Sequence, residues 1–409
     1  MNLVSAPEAA TRITAACPPQ PAVRMALADA VGQVLAEPIV AGVALPPWTN
    51  ASMDGYAVCA ADIAAASPEQ PVNLRVISAI AAGGTAERTL RPGEAMRIFT
   101  GAPVPIGADS VVRQEDTNRG DAVVQVTASR DAHANVRLAG GDLARGTVAL
   151  TAGSVLGPHQ VALLAALGQA QPLVYRRPRV GILATGNEVV SLDQVDEILA
   201  GRRLGDVNSI ALAALVTQTG AVAVPLGIAA DTVAALVERV GTAGDVDLLI
   251  SAGGVSVGDH DHVRTAMMQF GAVNLFDRVR MRPGGPTTFA TLADGRRWLG
   301  LPGNPVSAMV TFDLFGRTAI RSMSGHPVPG RVPFLAMLAE PARPDRLLDQ
   351  YLRCTFVHAG PNGPPVASLT GAQGSGMLMS VVRAEGLVLI PCGTPEIPAG
   401  SMVAATRFD

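Results

Sequence analysis

Residues 179–185 read RVGILAT, a nearly all-apolar run that opens onto a glycine turn, TGNEV at 185–189. A strand covered by helices on both faces has a continuous apolar sequence, whereas a half-exposed one alternates. The same signature recurs in AVAVPLGI (221–228), DLLISAGG (247–254) and RWLGLPG (297–303), with helical patterns between, at about 208–219 and in TVAALVERV (232–240). Strand alternating with helix predicts a parallel sheet in an α/β domain over residues 178–325.

Working outward, residues 1–47 read as helix. Apolar positions recur at helical spacing in PAVRMALADAVGQVLAEPI and end near Pro38. Short Val- and Ile-rich runs then follow: VNLRVISAI (72–80), MRIFTG (96–101), SVVRQEDT (110–117) and AVVQVTAS (122–129). They predict a β-rich insert over 48–137, with TNRGD (117–121) as a hairpin turn. A second helical stretch, HQVALLAALGQA (159–170), places 138–177 with 1–47 in one discontinuous helical domain. The last part, 326–409, returns to strands such as LDQYLRCTFVH, LVLIPC and MVAATRF, and reads as a C-terminal β domain. The fold class is α/β plus β, in several domains, with the parallel-sheet domain at the centre.

Composition narrows the chemistry. All 31 basic residues are arginine. Without a lysine amine, Schiff-base chemistry, pyridoxal phosphate chemistry and a Gly-x-x-x-x-Gly-Lys phosphate loop are excluded. Coding bias accounts for the absence, or else the chain exploits planar, permanently charged forks suited to oxyanions; the composition leaves both open. With 48% hydrophobic and 16% charged residues the chain has ample core and no disorder signature. A net charge of −3 and 3% aromatic content argue against nucleic acid as a partner. Cys17, Cys59, Cys354 and Cys392 lie too far apart for a zinc or disulfide framework. The start, MNLVSAPEAATRI, lacks a signal-peptide pattern, and the uncharged stretch after Gly146 is broken by Gly157, Pro158, His159 and Gln160. No membrane partner is expected, and the compartment read from this is the cytoplasm.

Ligands of open parallel sheets bind where strands end and helix N-termini leave amides unpaired. Three loops fall there: ATGNEV, SAGGVSVGDHDHV and LPGNPVSA, in which Pro305 can open a helix after Asn304. Together they point to a phosphate-bearing ligand. A dinucleotide fingerprint is absent: the lone Gly-x-Gly, Gly374-Ser375-Gly376, has Met379 where the third glycine belongs. The same loops carry Glu188, Asp259 and Asp261. A carboxylate about 4 Å from a phosphate oxygen is repelled by roughly 4 kcal/mol at an effective dielectric near 20, so a cation must intervene. Magnesium suits such hard oxygen ligands. Taken singly, Glu188 and Asp261 also read as ordinary loop or cap residues. Asp259-His260-Asp261-His262 admits a transition-metal reading, although adjacent loop residues rarely converge on one ion.

These stretches, in order, resemble one family. SMDGYAV (52–58), RIFTGAPVPIGADSVVRQEDT (97–117), GGDLARG (140–146), ATGNEV, GGVSVGDHDHV, RPGGPTTFA (282–290), LPGNPVSA and GSGML (374–378) match the molybdopterin molybdenumtransferase family, MoeA, whose relatives include the E domain of gephyrin. The resemblance implies a four-part homodimer whose α/β domain binds molybdopterin, with the cleft completed by the β insert and C-terminal domain of the partner subunit. It implies that adenylylated molybdopterin and molybdate, with Mg2+, give molybdenum cofactor and AMP. The substrate supplies the dithiolene sulfurs, so scarce cysteine is no objection. The molybdopterin adenylyltransferase and apo-molybdoenzymes become candidate protein partners.

Carried over residue by residue, Thr185, Gly186, Asn187, Gly253, Gly254, Ser256, Gly258, Pro302, Gly303, Asn304, Pro305 and Ser307 match the pterin and phosphate loops. Arg282 matches a substrate-binding position, and Glu188 and Asp261 match acidic positions that hold magnesium. Asp54 and Thr100 match positions reaching toward the reacting centre, and Asp142 and Asp231 match acidic positions implicated in function. One departure stands out. Where bacterial members carry Lys-Pro-Gly-Lys-Pro, this chain has Arg282, Pro283, Gly284 and Gly285, so one charge is kept and one lost. Two alternatives accompany this reading: an adenylylating enzyme built on the α/β domain alone, and a non-catalytic molybdopterin-binding or scaffold protein.

Overall fold

The structure, a computed structural model, describes residues 3–254, 262–358 and 363–408. Two compact units emerge: Met1–Glu37 with Gly153–Ala162 and Ala170–Asp409, and Pro38–Ala152 with Leu163–Gln169.

The larger unit is built on a six-stranded sheet. Its strands are β1 (Arg179–Thr185), β2 (Val222–Ala229), β3 (Leu248–Ala252), β4 (Val273–Phe276), β5 (Thr288–Thr291) and β6 (Arg297–Leu301), in the order β2-β1-β3-β6-β5-β4. The four strands of the sequence reading are mutually parallel, as expected. Beyond them the sheet turns mixed, because β5 and β6 form an antiparallel hairpin over a turn in which Asp294 accepts the Arg296 N–H at 3.0 Å. A connection that short cannot join parallel strands.

Successive residues of the central strands face opposite layers. Ile182, Ile250 and Leu299 join the core formed with helices α1 (Ala6–Ala16), α2 (Val207–Gln218), α5 (Pro305–Thr311) and α6 (Arg317–Met323). Leu183, Leu249 and Trp298 join the other core, formed with α3 (Val233–Gly241) and α4 (His262–Gln269). Burial on both faces is why RVGILAT shows no alternation. Caps fix where helices begin: the Asp206 carboxylate accepts the Ser209 N–H at 2.9 Å before α2, and the Thr232 hydroxyl accepts the Ala235 N–H at 3.3 Å before α3.

The expected helix over 21–39 is corrected. Only α1 is helical in the first 47 residues; Ala22–Arg24 is a strand paired antiparallel with Leu173–Tyr175, and Leu27–Asp29 is a single 3-10 turn. Prolines at 18, 19 and 21 end the helix, and Gly32 takes φ +81°, outside helical space. Val34 and Leu35, which seemed to mark a helical stripe, are buried through bridges to Val155 and Val174.

The C-terminal residues form a closed ring of five strands, Asp349–His358, Pro365–Leu369, Phe334–Leu338, Met402–Arg407 and Gly386–Ile390, the last returning to the first. Closure leaves no free edge within the ring. The two residues Met281–Arg282 add to it, parallel to Asp349–Gln350.

The smaller unit holds a five-stranded sheet ordered Ser110–Arg113, Gly55–Val58, Glu94–Ile98, Val72–Ile80 and Val123–Val126. Tyr56, Val58, Leu74, Val112 and Val124 fill one side of it. TNRGD does close a local antiparallel bridge, Thr117 to Val126, but the strands flanking it lie at opposite edges of the sheet, so it is not a simple hairpin.

Truncating the doubly covered sheet should be costly. Ile250→Ala is expected to destabilise the folded state by about 2–5 kcal/mol in urea unfolding; a loss under about 1 kcal/mol would mean that this layer packs loosely.

Candidate active site

The carboxyl ends of β1, β3 and β6 open on a cavity of about 680 Å³. It gathers Thr185, Gly186, Glu188, Asp231, Gly253, Gly254, Pro302, Gly303, Asn304 and Pro305, all anticipated from the sequence. Two glycines show why the loops need that residue. Gly253 takes φ +99° and a Cβ there would lie 2.8 Å from the Thr185 Oγ1; Gly254 takes φ +65° and a Cβ would lie 2.4 Å from the Val263 Cγ2. A side chain at either would force the loop off the strand end. Asn187 acts from behind: its side-chain oxygen accepts the Asp231 N–H at 3.2 Å and ties the loop after β1 to the loop after β2. Asn304 precedes α5 with Pro305 at its first position, as the sequence suggested, but its side chain does not cap the helix. It donates instead to the Ser375 Oγ at 3.0 Å.

Among the described residues no arginine lines this cavity, while Glu188, Asp206 and Asp231 do. Asp206 is engaged in capping α2. The Asp231 Oδ1 is buried and has no hydrogen-bond partner among the described residues. A buried carboxylate oxygen left bare is costly unless something cationic meets it. Glu188 and Asp231 offer hard oxygen donors, the chemistry that magnesium takes alongside substrate phosphate. Among the described residues no three carboxylate, histidine or cysteine groups converge as a metal cage. The residues present therefore fit an ion shared with substrate. Ser256, Gly258, Asp259, His260 and Asp261 lie outside the described residues.

Next to this cavity, and sharing Pro286, Pro302 and Asn304 with it, is a second one of about 690 Å³. It is lined by Ser307 and by Arg278, Arg280 and Arg282, with no carboxylate among the described residues. Arg282 also borders a smaller cavity of about 310 Å³ with Gln350, Arg353 and Gln373. Arg353 is fully buried. Its Nε donates to the Ser380 Oγ and its Nη2 to the Gly374 carbonyl, each at 3.2 Å, while its Nη1 is buried without a partner among the described residues. Burial brings this guanidinium down to about 10, still charged at neutral pH. Sequence reading missed Arg353. The available signal was a lone arginine at an inward position, in register with Tyr351, in the apolar strand LDQYLRCTFVH.

In the smaller unit Asp54 and Thr100 come together. The Asp54 Oδ1 accepts both the backbone N–H and the hydroxyl of Thr100, each at 2.8 Å. Those two bonds, with the Arg97 charge adding to them, hold the Asp54 carboxyl below its usual range. Asp142 is exposed in its loop, where its backbone N–H donates to the Leu45 carbonyl at 3.0 Å; no hydrogen bond joins it to Asp54 or Thr100.

Three family models cover most of the chain: the MoeA N-terminal region (domain I and II) matches residues 4–168, a probable molybdopterin binding domain 181–322, and the MoeA C-terminal region (domain IV) 336–408. A molybdopterin molybdenumtransferase of a Nostoc species is 38% identical over 92% of this chain and 86% of its own. The chain belongs to the molybdopterin molybdenumtransferase family. A second member, molybdopterin molybdenumtransferase 2 of Mycobacterium tuberculosis, is 36% identical over 95% of both chains. The crystal structure of the molybdopterin biosynthesis MoeA protein of Pyrococcus horikoshii superposes with a TM-score of 0.82 at 27% identity, covering 99% of this chain and 100% of that one.

Within this MoeA-family fold, the Asp54–Thr100 pair gives a direct test. Thr100→Val keeps the backbone donor and removes the hydroxyl. The Asp54 pKa, followed by carbon-13 NMR titration of its carboxyl, should rise toward the ordinary value, so that the carboxylate is lost at a higher pH on acidification. An unmoved titration would mean that the hydroxyl does not bond Asp54 in solution.

Proposed function

We propose that this protein transfers molybdenum from molybdate to adenylylated molybdopterin, releasing AMP, with Mg2+ assisting cleavage of the phosphoanhydride. The observation that carries the reading is the segregation of charge across two adjoining cavities. Among the described residues, one presents carboxylates, with a bare buried Asp231 oxygen and no arginine, and the other presents arginines and no carboxylate. The names of the relatives agree with it.

Each residue then has a task. Thr185 and the glycine loops at 253–254 and 303 receive pterin and phosphate groups, for which close backbone approach is needed. Glu188 and Asp231, with Asp261 as the family resemblance suggests, would hold magnesium, which when bound offsets charge at the phosphates. Arg282 and the orphaned Nη1 of Arg353 supply a charged fork for the tetrahedral oxyanion, molybdate. Water attacks one phosphorus of the anhydride and AMP departs carrying the other phosphate, while the two dithiolene thiols of the substrate replace two oxides of molybdate, which take up the thiol and solvent protons and leave as water. Asp54, Thr100 and Asp142 are retained as catalytic candidates on the family resemblance, Asp54 as a carboxylate rather than an acid. A scaffold would gain nothing from a bare buried carboxylate oxygen.

The same reading includes the four-part division at 47, 137, 177 and 325, a homodimer, a cytoplasmic setting, and contact with the molybdopterin adenylyltransferase and apo-molybdoenzymes. No described helix is long and apolar enough to cross a membrane.

Purified protein given adenylylated molybdopterin, molybdate and Mg2+ should release AMP and activate an apo-molybdoenzyme. Binding of the nucleotide without either outcome would refute the transferase reading. Glu188→Ala should lower turnover at least tenfold with little change in melting temperature, and Arg353→Leu should raise the molybdate concentration needed for half-maximal rate about tenfold or more. A molybdate dependence unchanged in Arg353→Leu would remove that residue from oxyanion binding.

A further inference from the structure

We propose that Asn208 is a positioning residue of this site: its side-chain amide engages the Gly303 carbonyl and so fixes the plane of the Gly303–Asn304 peptide. The inference rests on the functional reading above and deepens it.

Three asparagines border these loops, and the sequence motifs pointed to only two. Asn187 and Asn304 stand in the glycine loops themselves. Asn208 stands on α2, in the first turn that Asp206 caps, and its Nδ2 donates to the Gly303 carbonyl at 2.8 Å, across 95 residues of sequence. Asn208 and Gly303 both line the carboxylate cavity. The partner is a carbonyl, so the amide has to present its NH2 edge; its oxygen would be repelled.

Planarity turns this bond into a lever. In a trans peptide the C=O of one residue and the N–H of the next point in opposite directions. With the Gly303 carbonyl turned to Asn208, the Asn304 N–H is turned the other way. Asn304 is one of the residues shared between the carboxylate and arginine cavities, and its side chain is separately tied to Ser375. The neighbouring position is a proline, with no N–H to offer, so the Asn304 amide is the first backbone donor on entering α5. A peptide free to flip would leave an uncommitted carbonyl lone pair at a cavity already bordered by Glu188 and Asp231. Phosphate oxygens would then meet an acceptor where they need a donor.

Asn208→Asp separates this role from one of shape. Ionised, the aspartate cannot donate; protonated, its carboxyl O–H can. Binding of adenylylated molybdopterin, with Mg2+ present and molybdate omitted to prevent turnover, is measured by calorimetry from pH 8 to pH 5 for wild type, Asn208→Asp and Asn208→Ala. Melting temperatures are taken alongside, and a variant that does not fold is replaced by Asn208→Ser. Relative to wild type at each pH, Asn208→Ala should bind about tenfold more weakly throughout. Asn208→Asp should be at least as weak at pH 8 and recover to within about twofold at pH 5. If Asn208→Ala or Asn208→Ser binds like wild type, or if folded Asn208→Asp shows no recovery on acidification, the proposal is overturned. A wild-type protein that binds the nucleotide but transfers no molybdenum overturns the transferase reading alone, whereas one that does not bind it overturns both.

Discussion

The apolar layers on the two faces of the central parallel strands are the constraint on which the rest depends. Ile182, Ile250 and Leu299 lie in register on one face, and Leu249 and Trp298 lie in register on the other with Leu183 two residues further along its strand, so each strand can be removed from water only if helices cover both sides. Helices on both sides require crossover connections, and crossovers begin in loops at the carboxyl ends of the strands. Glycine-rich turns, helix starts and carboxylates accumulate at that end for this reason. The Trp298 Nε1 donates to the Ser251 Oγ at 2.9 Å inside the sheet, so even the largest buried side chain leaves no donor unmet there.

How much was legible in the sequence follows from which signals are local. RVGILAT and its three counterparts were readable because burial on both faces leaves a continuous apolar run, and ATGNEV and LPGNPVSA because glycine and proline advertise special backbone. The stretch 21–39 was misread since short strands that pair with distant residues can imitate helical spacing; Val34 and Leu35 owe their burial to Val155 and Val174, partners far along the chain. Arg353 was missed for a related cause. Its meaning comes from where the strand ring puts it, beside Arg282 and with one nitrogen unmet, and neither fact is written near residue 353. Asn208 is a third case, one ordinary helical asparagine among others until Gly303 is brought to it.

The uniform use of arginine acquires a physical sense at one place. Arg353 is buried without a carboxylate, a setting that a guanidinium endures and remains charged, whereas an amine readily sheds its proton when desolvated. Elsewhere the arginines do ordinary work: Arg331 pairs with Asp313 at 2.6 Å and Arg176 with Asp247 at 2.7 Å. The family departure at Gly285 removes one cation from the segment, yet Arg278, Arg280 and Arg282 still border the same cavity.

The parallel pairing of Met281–Arg282 with Asp349–Gln350 ties the C-terminal ring by its backbone to the segment that carries Arg282. Arg282 arrives from the α/β portion and Arg353 from the ring, so an anion held between them joins two segments folded separately in sequence. Anything that binds the native arrangement and not the unfolded chain stabilises it by mass action. On the proposed function, molybdate bound between Arg282 and Arg353 would add to the stability of the arrangement that brings the two arginines together.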